Sequence, residues 1–148
     1  MNKQINLSFF SDELKEVKTH KKEFLEQIER IMPWGELEEL VRPCYYEGKR
    51  GNKPYDLELM LRIHLLQNLY NLSDEGTRNE VIDSRAFSDF CGVESSNQIP
   101  DGDTIGRFRN LLINNHIHEQ FFALVVKTLA DRGLILSLIH ISEPTRPY

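Results

Sequence analysis

Arginine and asparagine side chains recur at helical spacing in the segment GDTIGRFRNLLIN. The apolar residues that would share a buried helix face are Ile105, Phe108 and Leu112. The residues that would share a polar face are Thr104, Arg107 and Asn110, with Arg109 on the flank of that face. Arginine and asparagine pair with guanine and adenine edges in a major groove. The pattern therefore predicts a helix that reads DNA bases, although two arginines also occur on ordinary solvated helix faces.

Basic residues are concentrated in two short regions of an acidic chain, whose formal net charge is −5. Residues 54–103 hold ten acidic side chains against three basic ones, whereas residues 104–136 hold two acidic and four basic ones. Residues 42–53 contain one glutamate and four basic residues, which are Arg42, Lys49, Arg50 and Lys53. This distribution excludes a uniformly basic nucleic-acid binder but allows local contacts with DNA phosphates. Ordinary solvated charge is the simpler alternative.

Side chains that could support catalysis or bind a metal are few. His116 and His118 alternate at the start of a helix, so their rings diverge, and no cysteine or carboxylate cluster nearby completes a ligand set. Asp101 and Asp103 precede a helix, where turn formation and N-capping explain both. His64 falls within an apolar helix and is predicted to be a hydrogen-bonded core residue. Because the sequence also lacks the common phosphate loops and nucleophile turns, we predict no catalytic residue and no metal site.

The two cysteines, Cys44 and Cys91, are too far apart in sequence to form a C-x-x-C pair, and we predict that both are reduced and packed. The first ten residues lack the charged and apolar regions of a signal peptide. The longest apolar stretches, such as Phe121–Val126, are far shorter than the roughly 20 residues that cross a bilayer. The expected location is the cytoplasm, without a membrane partner.

The elements that must position these residues are all predicted to be helices, since no segment alternates as a strand would. The predicted helices span residues 11–32 with a break near Thr19, 34–43, 55–72, 74–83, 85–91, 104–114 and 119–132. Their predicted N-caps include Ser11, Asp56, Ser73, Ser84 and Asp103, and their predicted stops include Pro33, Pro43, Gly92 and Gly133. The 148 residues therefore predict one domain, an all-α compact bundle of six or seven helices. Helices 74–83, 85–91 and 104–112 could form a helix-turn-helix-like unit.

An ordered series of segments gives the chain a resemblance to a known family. Trp34 is followed by GKRGNKPYDLELMLRIHLLQNLYNLSDE, SRAFSDFCGV, IPDGDTIGRFRNLL and LADRGLIL. This series, over roughly residues 8–136, resembles the N-terminal helical domain of insertion-sequence-five family transposases, which cut DNA with a DDE carboxylate triad. The resemblance implies that residues 1–136 form a domain that binds DNA at the terminal inverted repeats of a transposon. It also implies contacts with other transposase subunits.

The chain departs from the family pattern after Leu134. The family continues with a Gly-Thr-x-x-Asp-Ala strand that supplies the first catalytic aspartate, whereas this sequence runs into SLIHISEPTRPY. The resemblance thus implies a fragment truncated before a ribonuclease-H-like domain, with no cofactor in this chain and Mg²⁺ serving the missing domain. The segment LSLIHISEPTRP resembles a translated sequencing-library adapter. Residues 137–148 are therefore expected to be an artefactual or disordered tail, and the alternative is a genuine short apolar tail.

Two alternatives to DNA binding stay open. The chain could be a helical protein-interaction module that assembles transposase subunits with weak or no DNA contact. The acidic character of residues 54–103 favours this alternative, because acidic surfaces repel phosphate. The chain could instead be a repressor-like regulator, which would require a natural end near residue 136.

Overall fold

The computed structural model describes residues 19–46 and 55–134, and every regular element within these ranges is helical. The α-helices in chain order are α1 (His20–Ile31), α2 (Trp34–Tyr46), α3 (Leu57–Leu69), α4 (Asp74–Asp83), α5 (Arg85–Cys91), α6 (Gly102–Asn114) and α7 (His118–Asp131). A short 3-10 helix, Ser96–Gln98, lies between α5 and α6. The prediction of an all-α bundle is confirmed. The predicted tail and the start of the predicted 11–32 helix lie outside the described residues.

Helix α3 lies at the centre of the bundle, where it packs against α2, α4, α5 and α6. It is apolar on nearly all sides, as the sequence predicts, and a helix of this kind must be buried. Its buried apolar residues are Leu57, Met60, Leu61, Ile63, Leu65, Leu66 and Leu69. Asp56 precedes α3 but makes no side-chain cap hydrogen bond. No helix in the described ranges has the length and hydropathy needed to span a membrane.

Most helix ends lie where local capping signals predict them. The side chains of Thr19, Ser73 and Ser84 each accept a hydrogen bond from the backbone N–H three residues later, at 3.1, 2.9 and 3.3 Å. These contacts satisfy N–H groups that have no partner in the first helical turn. Gly92 and Gly133 adopt positive φ angles of 73° and 72° just after α5 and α7, a conformation that suits glycine. Helix α1 begins directly after Thr19, where the sequence predicts a break, and the part of the predicted 11–32 helix before Thr19 lies outside the described residues.

The predicted end of the second helix at Pro43 is wrong, because α2 continues through Pro43 to Tyr46. Proline removes one backbone hydrogen bond and normally disfavours a helix interior. The turn after Pro43 nevertheless buries Tyr45, whose hydroxyl donates a hydrogen bond to the backbone carbonyl of Tyr55. The Tyr45 ring also packs edge-on against Phe108 of α6, with centroids 5.7 Å apart. These tertiary contacts explain why the helix continues past the proline.

Arg62 ties α3 to α1, α2 and α5 from a buried position that the sequence analysis did not single out. Its guanidinium pairs with the carboxylates of Glu29 and Glu58 and donates to the Phe90 carbonyl at 2.9 Å. It also lies 4.2 Å from the centre of the Trp34 ring, a cation–π distance. Only 8% of Arg62 is exposed, so these contacts replace water around a buried charge.

Candidate nucleic-acid interface

Helix α6 presents an apolar face to the core and a polar face to solvent. Ile105, Phe108 and Leu112 are buried, which confirms the predicted buried face. The exposed polar residues are Asp103, Arg107, Asn110 and Asn114, with Thr104 half-buried beside them. Their spacing of three or four residues places them in one stripe along the helix. The structure therefore brings Thr104, Arg107 and Asn110 together on one accessible side of α6.

The N-cap of α6 is Asp101, so the prediction that Asp103 caps this helix is wrong. The Asp101 carboxylate accepts a hydrogen bond from the Thr104 N–H at 2.9 Å, and this bond lowers the pKa of Asp101. Asp101 has the extended backbone that an N-cap requires. Asp103 lies inside the first helical turn, where its negative charge still suits the helix dipole.

Two glycines allow α4 to approach α6 closely. A methyl group at Gly102 would overlap the carboxylate of Glu75, and one at Gly106 would lie 2.7 Å from an oxygen of Asp74. Both acidic side chains belong to the first turn of α4. Because Gly102 and Gly106 are four residues apart, they lie on the same side of α6. Together they form a flat surface, the glycine strip, against which α4 packs. This contact fixes the orientation of α6 relative to the core.

Arg109 lies on the α4 side of α6 rather than in the exposed stripe. Its Nε and Nη2 donate to the two carboxylate oxygens of Asp74 at 3.1 and 2.7 Å. Asp74 also accepts a hydrogen bond from Nε2 of the buried Gln67 at 2.8 Å. The Arg109 contact lowers the pKa of Asp74. Two of the five N–H donors of Arg109 are therefore already used within the protein. Arg109 thus does not share the exposed side of α6 with Arg107 and Asn110.

The chain connections around α6 differ from those of a compact helix-turn-helix. Ser84 alone separates α4 from α5, whereas residues 92–101 connect α5 to α6. A helix-turn-helix usually joins its two helices by three or four residues. The helix that packs across α6 in this bundle is α4, through the glycine strip. The three helices of the predicted helix-turn-helix-like unit are therefore present. The connection before α6, the candidate recognition helix, is longer than in a compact helix-turn-helix.

The basic region of residues 42–53 is described only in part. Arg42 is exposed at the end of α2 and pairs with Glu38 one turn earlier, with 2.9 Å between the charged atoms. The predicted phosphate-binding residues Lys49, Arg50 and Lys53 lie outside the described residues. Surface ion pairs within a helix are weak, so the Arg42 side chain can exchange Glu38 for another anion.

Arg78 of α4 is a candidate that the sequence analysis missed. It is half-buried, its Nε is enclosed without a hydrogen-bond partner, and it forms no ion pair within the described residues. The Thr104 hydrogen bond is the main cause of the lowered pKa of Asp101, and the charges of Arg107 and Arg78 lower that pKa further. Arg78 belongs to the acidic region of residues 54–103. A comparison of net charge between regions therefore does not identify Arg78 as a candidate.

The predicted core role of His64 is confirmed. Only 1% of this residue is exposed, and its Nε2 lies 3.3 Å from Nδ1 of His118. Burial, together with the charges of His118 and Arg109, lowers the pKa of His64 to about 3, so the ring is neutral at pH 7. Within residues 19–46 and 55–134, no group of three or more histidine, cysteine or acidic side chains is arranged to hold a metal ion.

Both cysteines are reduced, as predicted. Cys91 is buried at the end of α5, and burial raises the pKa of its thiol to about 12. The Cys44 thiol is half-buried in α2 and lies 3.4 Å from the carbonyl oxygen of Val41. A thiol with a raised pKa is a poor nucleophile, so the chemistry of Cys91 is that of a packing residue.

A surface cavity of about 510 Å³ lies among α1, α3 and α5, away from the exposed stripe of α6. Its charged lining residues are Glu29, Asp56, Glu58, Arg62 and Asp89. Because four of these five side chains are acidic, the cavity disfavours a phosphate ligand.

The family model described as "Transposase domain (DUF772)" matches residues 12–111. The match covers more than half of the chain and includes α1 to α5 and most of α6. It extends past Asn110, so the polar stripe of α6 lies largely within it. No solved structure matches this chain. The chain belongs to the transposase domain family.

Proposed function

We propose that this chain binds DNA at the terminal inverted repeats of a transposon of the insertion-sequence-five type, and that α6 contacts the bases. The observation that carries the proposal is the exposure of Arg107 and Asn110 one turn apart on a single helix. Both residue types can form two hydrogen bonds to a base edge in the major groove. Membership of the transposase domain family supports a role on DNA. The proposed location of this role is the cytoplasm.

The anchoring of α6 supports base readout, because bidentate hydrogen bonds require a helix held in a fixed orientation. The Phe108 ring packs against Tyr45 and His64, with centroids 5.7 and 5.8 Å away. The glycine strip holds the other side of α6 against α4. Arg107 forms no ion pair within the described part of the chain, so its donors are available to DNA.

We assign the phosphate contacts of this proposal to the basic region of residues 42–53. Phosphate contacts position a protein on the duplex, whereas base contacts select the sequence. The basic side chains proposed to contact phosphates are Arg42, Lys49, Arg50 and Lys53. Because these contacts are direct, DNA binding by this region should need no metal ion. The Mg²⁺ implied by the family resemblance belongs to strand cleavage by another domain.

A mobility-shift titration of residues 1–148 tests the proposal, with the terminal inverted repeat and a shuffled duplex compared at several salt concentrations in EDTA. We expect tighter binding to the repeat and weaker binding to both duplexes as the salt concentration rises. Asn110→Ala should lower the preference for the repeat. Arg30→Ala, which removes an exposed arginine from α1, is the matched control and should leave that preference unchanged. Equal affinity for the two duplexes would refute sequence-specific binding.

Assembly of transposase subunits is the second candidate function. The acidic cavity among α1, α3 and α5 favours it, because that surface suits a basic protein segment better than DNA. Analytical ultracentrifugation of residues 1–148 without DNA tests this alternative. Self-association at micromolar concentration together with no mobility shift on any duplex would favour assembly over DNA binding.

We also propose that residues 137–148 derive from a sequencing adapter rather than from the transposon. Their support is the likeness of LSLIHISEPTRP to a translated adapter. The contiguous genomic DNA downstream of codon 136 tests this origin. A reading frame that encodes Gly-Thr-x-x-Asp-Ala there would support it, whereas genomic codons for the same twelve residues would refute it.

A further inference from the structure

Ile113 is an exposed apolar residue near the end of α6. It is 44% exposed, although isoleucine is among the residue types most often buried. Exposed large apolar residues also include Tyr55, Ile82 and Val126, and single residues of this kind are common on protein surfaces. What distinguishes Ile113 from them is its position on the proposed base-reading helix.

Ile113 continues a row of α6 side chains that recur every third residue. The row consists of Thr104, Arg107, Asn110 and Ile113, and residues three apart are neighbours on a helix surface. Each step of three residues rises about 4.5 Å along the helix axis and turns about 60° around it. Asn110 therefore lies between Arg107 and Ile113. Because base pairs are stacked about 3.4 Å apart, neighbouring members of the row can face neighbouring base pairs.

Helix α4 leaves Ile113 uncovered. Its first residue, Asp74, lies beside Gly106 and pairs with Arg109. Ile113 follows Arg109 by one further turn of α6, past the first residue of α4. The Asp74 pair thus holds α6 one turn before Ile113, which fixes the position of this side chain without covering it.

The neighbours of Ile113 in the row form hydrogen bonds, whereas Ile113 offers only apolar contact. Arg107 and Asn110 are exposed, and neither side chain has a hydrogen-bond partner within residues 19–46 and 55–134. In the major groove the apolar group that a base presents is the C5 methyl of thymine, and apolar side chains contact it. An apolar residue at this place therefore matches thymine and none of the other three bases.

We propose that Ile113 contacts the methyl group of a thymine in the major groove, next to the base pair that Asn110 contacts. The proposal rests on the proposed DNA-binding function and adds to it a specificity-determining residue and the base that it selects. The contact removes apolar surface of both groups from water, which is favourable. Cytosine lacks the methyl group, so a cytosine at this position should bind less tightly.

Deoxyuridine isolates the proposed contact, because it differs from thymidine by the missing methyl group and keeps the same hydrogen-bonding groups. Each thymine of the terminal inverted repeat is replaced in turn, and every duplex is titrated with residues 1–148 in EDTA by mobility shift. We expect at least one replacement to weaken binding about fourfold, the loss that corresponds to one methyl group left without a buried contact. Ile113→Ala should bind that duplex and the unmodified repeat equally.

Matched variants show whether the sensitivity to deoxyuridine belongs to Ile113. Ile82→Ala and Val126→Ala remove apolar side chains that are 39% and 40% exposed on α4 and α7, and both should keep the full sensitivity. Ile113→Val retains two methyl groups and should keep most of it. Circular dichroism checks the fold of each variant.

The outcomes separate this proposal from the function on which it rests. Equal affinity of the parent for the repeat and a shuffled duplex would refute both. A parent that prefers the repeat but tolerates every deoxyuridine replacement would refute the thymine contact alone, whatever the fold of the variants. If Ile113→Ala is unfolded, Ile113→Ser takes its place: loss of the sensitivity supports the proposal, and its persistence at every position overturns it.

Discussion

The Arg109 guanidinium and the Asp74 carboxylate form a two-point ion pair, with 3.1 Å from Nε to Oδ1 and 2.7 Å from Nη2 to Oδ2. The pair joins α6 to α4 at the glycine strip, and Gln67 Nε2 also donates a hydrogen bond to Asp74 Oδ1. Arg109 therefore helps to set the direction of α6, while Arg107 remains exposed on that helix. Two arginines separated by one residue thus have different surroundings.

We predict that the Asp74–Arg109 pair stabilises the fold. The two side chains are 28% and 35% exposed, so each of Asp74→Asn and Arg109→Gln should lower the free energy of unfolding by about 1 kcal/mol. Urea denaturation of both single variants and the double variant measures the coupling. Lys127→Gln, which breaks the exposed pair with Asp131, is the control and should cost less than about 0.5 kcal/mol. Fully additive losses would show that the pair contributes nothing.

Gly106→Ala should destabilise the protein, because a methyl group there would lie 2.7 Å from Asp74 Oδ2. We expect a loss of about 1–2 kcal/mol in the free energy of unfolding, although alanine favours an isolated helix over glycine by about 1 kcal/mol. Gly35→Ala in α2 is the matched control, since nothing lies within 4 Å of the added methyl group. That variant should be neutral or slightly more stable in urea. A stabilised Gly106→Ala variant would mean that α4 moves away without cost.

The buried His64 should make stability fall as the pH is lowered from about 6.5 toward 3. The unfolded chain protonates this histidine near pH 6.5, whereas the folded state resists protonation until about pH 3. Since the unfolded state then binds more protons, the free energy of unfolding should decrease by up to about 1.4 kcal/mol per pH unit. Urea denaturation between pH 6.5 and 4.5 measures this slope above the range in which Asp74 titrates.

Variants isolate the contribution of His64. His64→Asn cannot titrate and should reduce the slope by up to one proton, whatever its effect on stability at pH 7. His116→Asn removes an exposed histidine whose positive φ of 60° asparagine tolerates, so it should leave the slope nearly unchanged. An identical slope in His64→Asn and the parent would show that another group is responsible.

The basic region of residues 42–53 and α6 should differ in the kind of DNA binding that they support. Replacing Lys49, Arg50 and Lys53 with alanine should weaken binding to every duplex and flatten its salt dependence by about one unit per lost phosphate contact. Arg107→Ala should cost about 1–3 kcal/mol in binding free energy, mainly on the terminal repeat, because the base contact is lost. Salt-dependent titrations of both duplexes measure the two effects. If the two variants showed the same profile, α6 would not be the base-reading helix.

Local sequence signals predicted most helix ends, because each cap involves residues within three positions of one another. Ser73 and Ser84 cap their helices, and Gly92 ends α5, as predicted. The predicted end of α2 at Pro43 was wrong, because Tyr45 contacts Tyr55 and Phe108. These residues lie further along the chain, where local signals around Pro43 do not report them. The sequence alone could not choose between Asp101 and Asp103 as the N-cap of α6, because an aspartate at either position could cap the helix.

The sequence by itself determined that the protein is helical, that α3 is central and that α6 has one buried face. These properties follow from the periodicity of apolar residues along a chain that must bury them. Only the tertiary structure decided which arginines of α4 and α6 stay accessible. Asp74 lies 35 positions before Arg109, and it reaches Arg109 beside Gly106, where a side chain larger than hydrogen would collide with its carboxylate. Charge pairing depends on distance in space, and helical periodicity specifies a direction around one helix but not the partner that another helix brings to it.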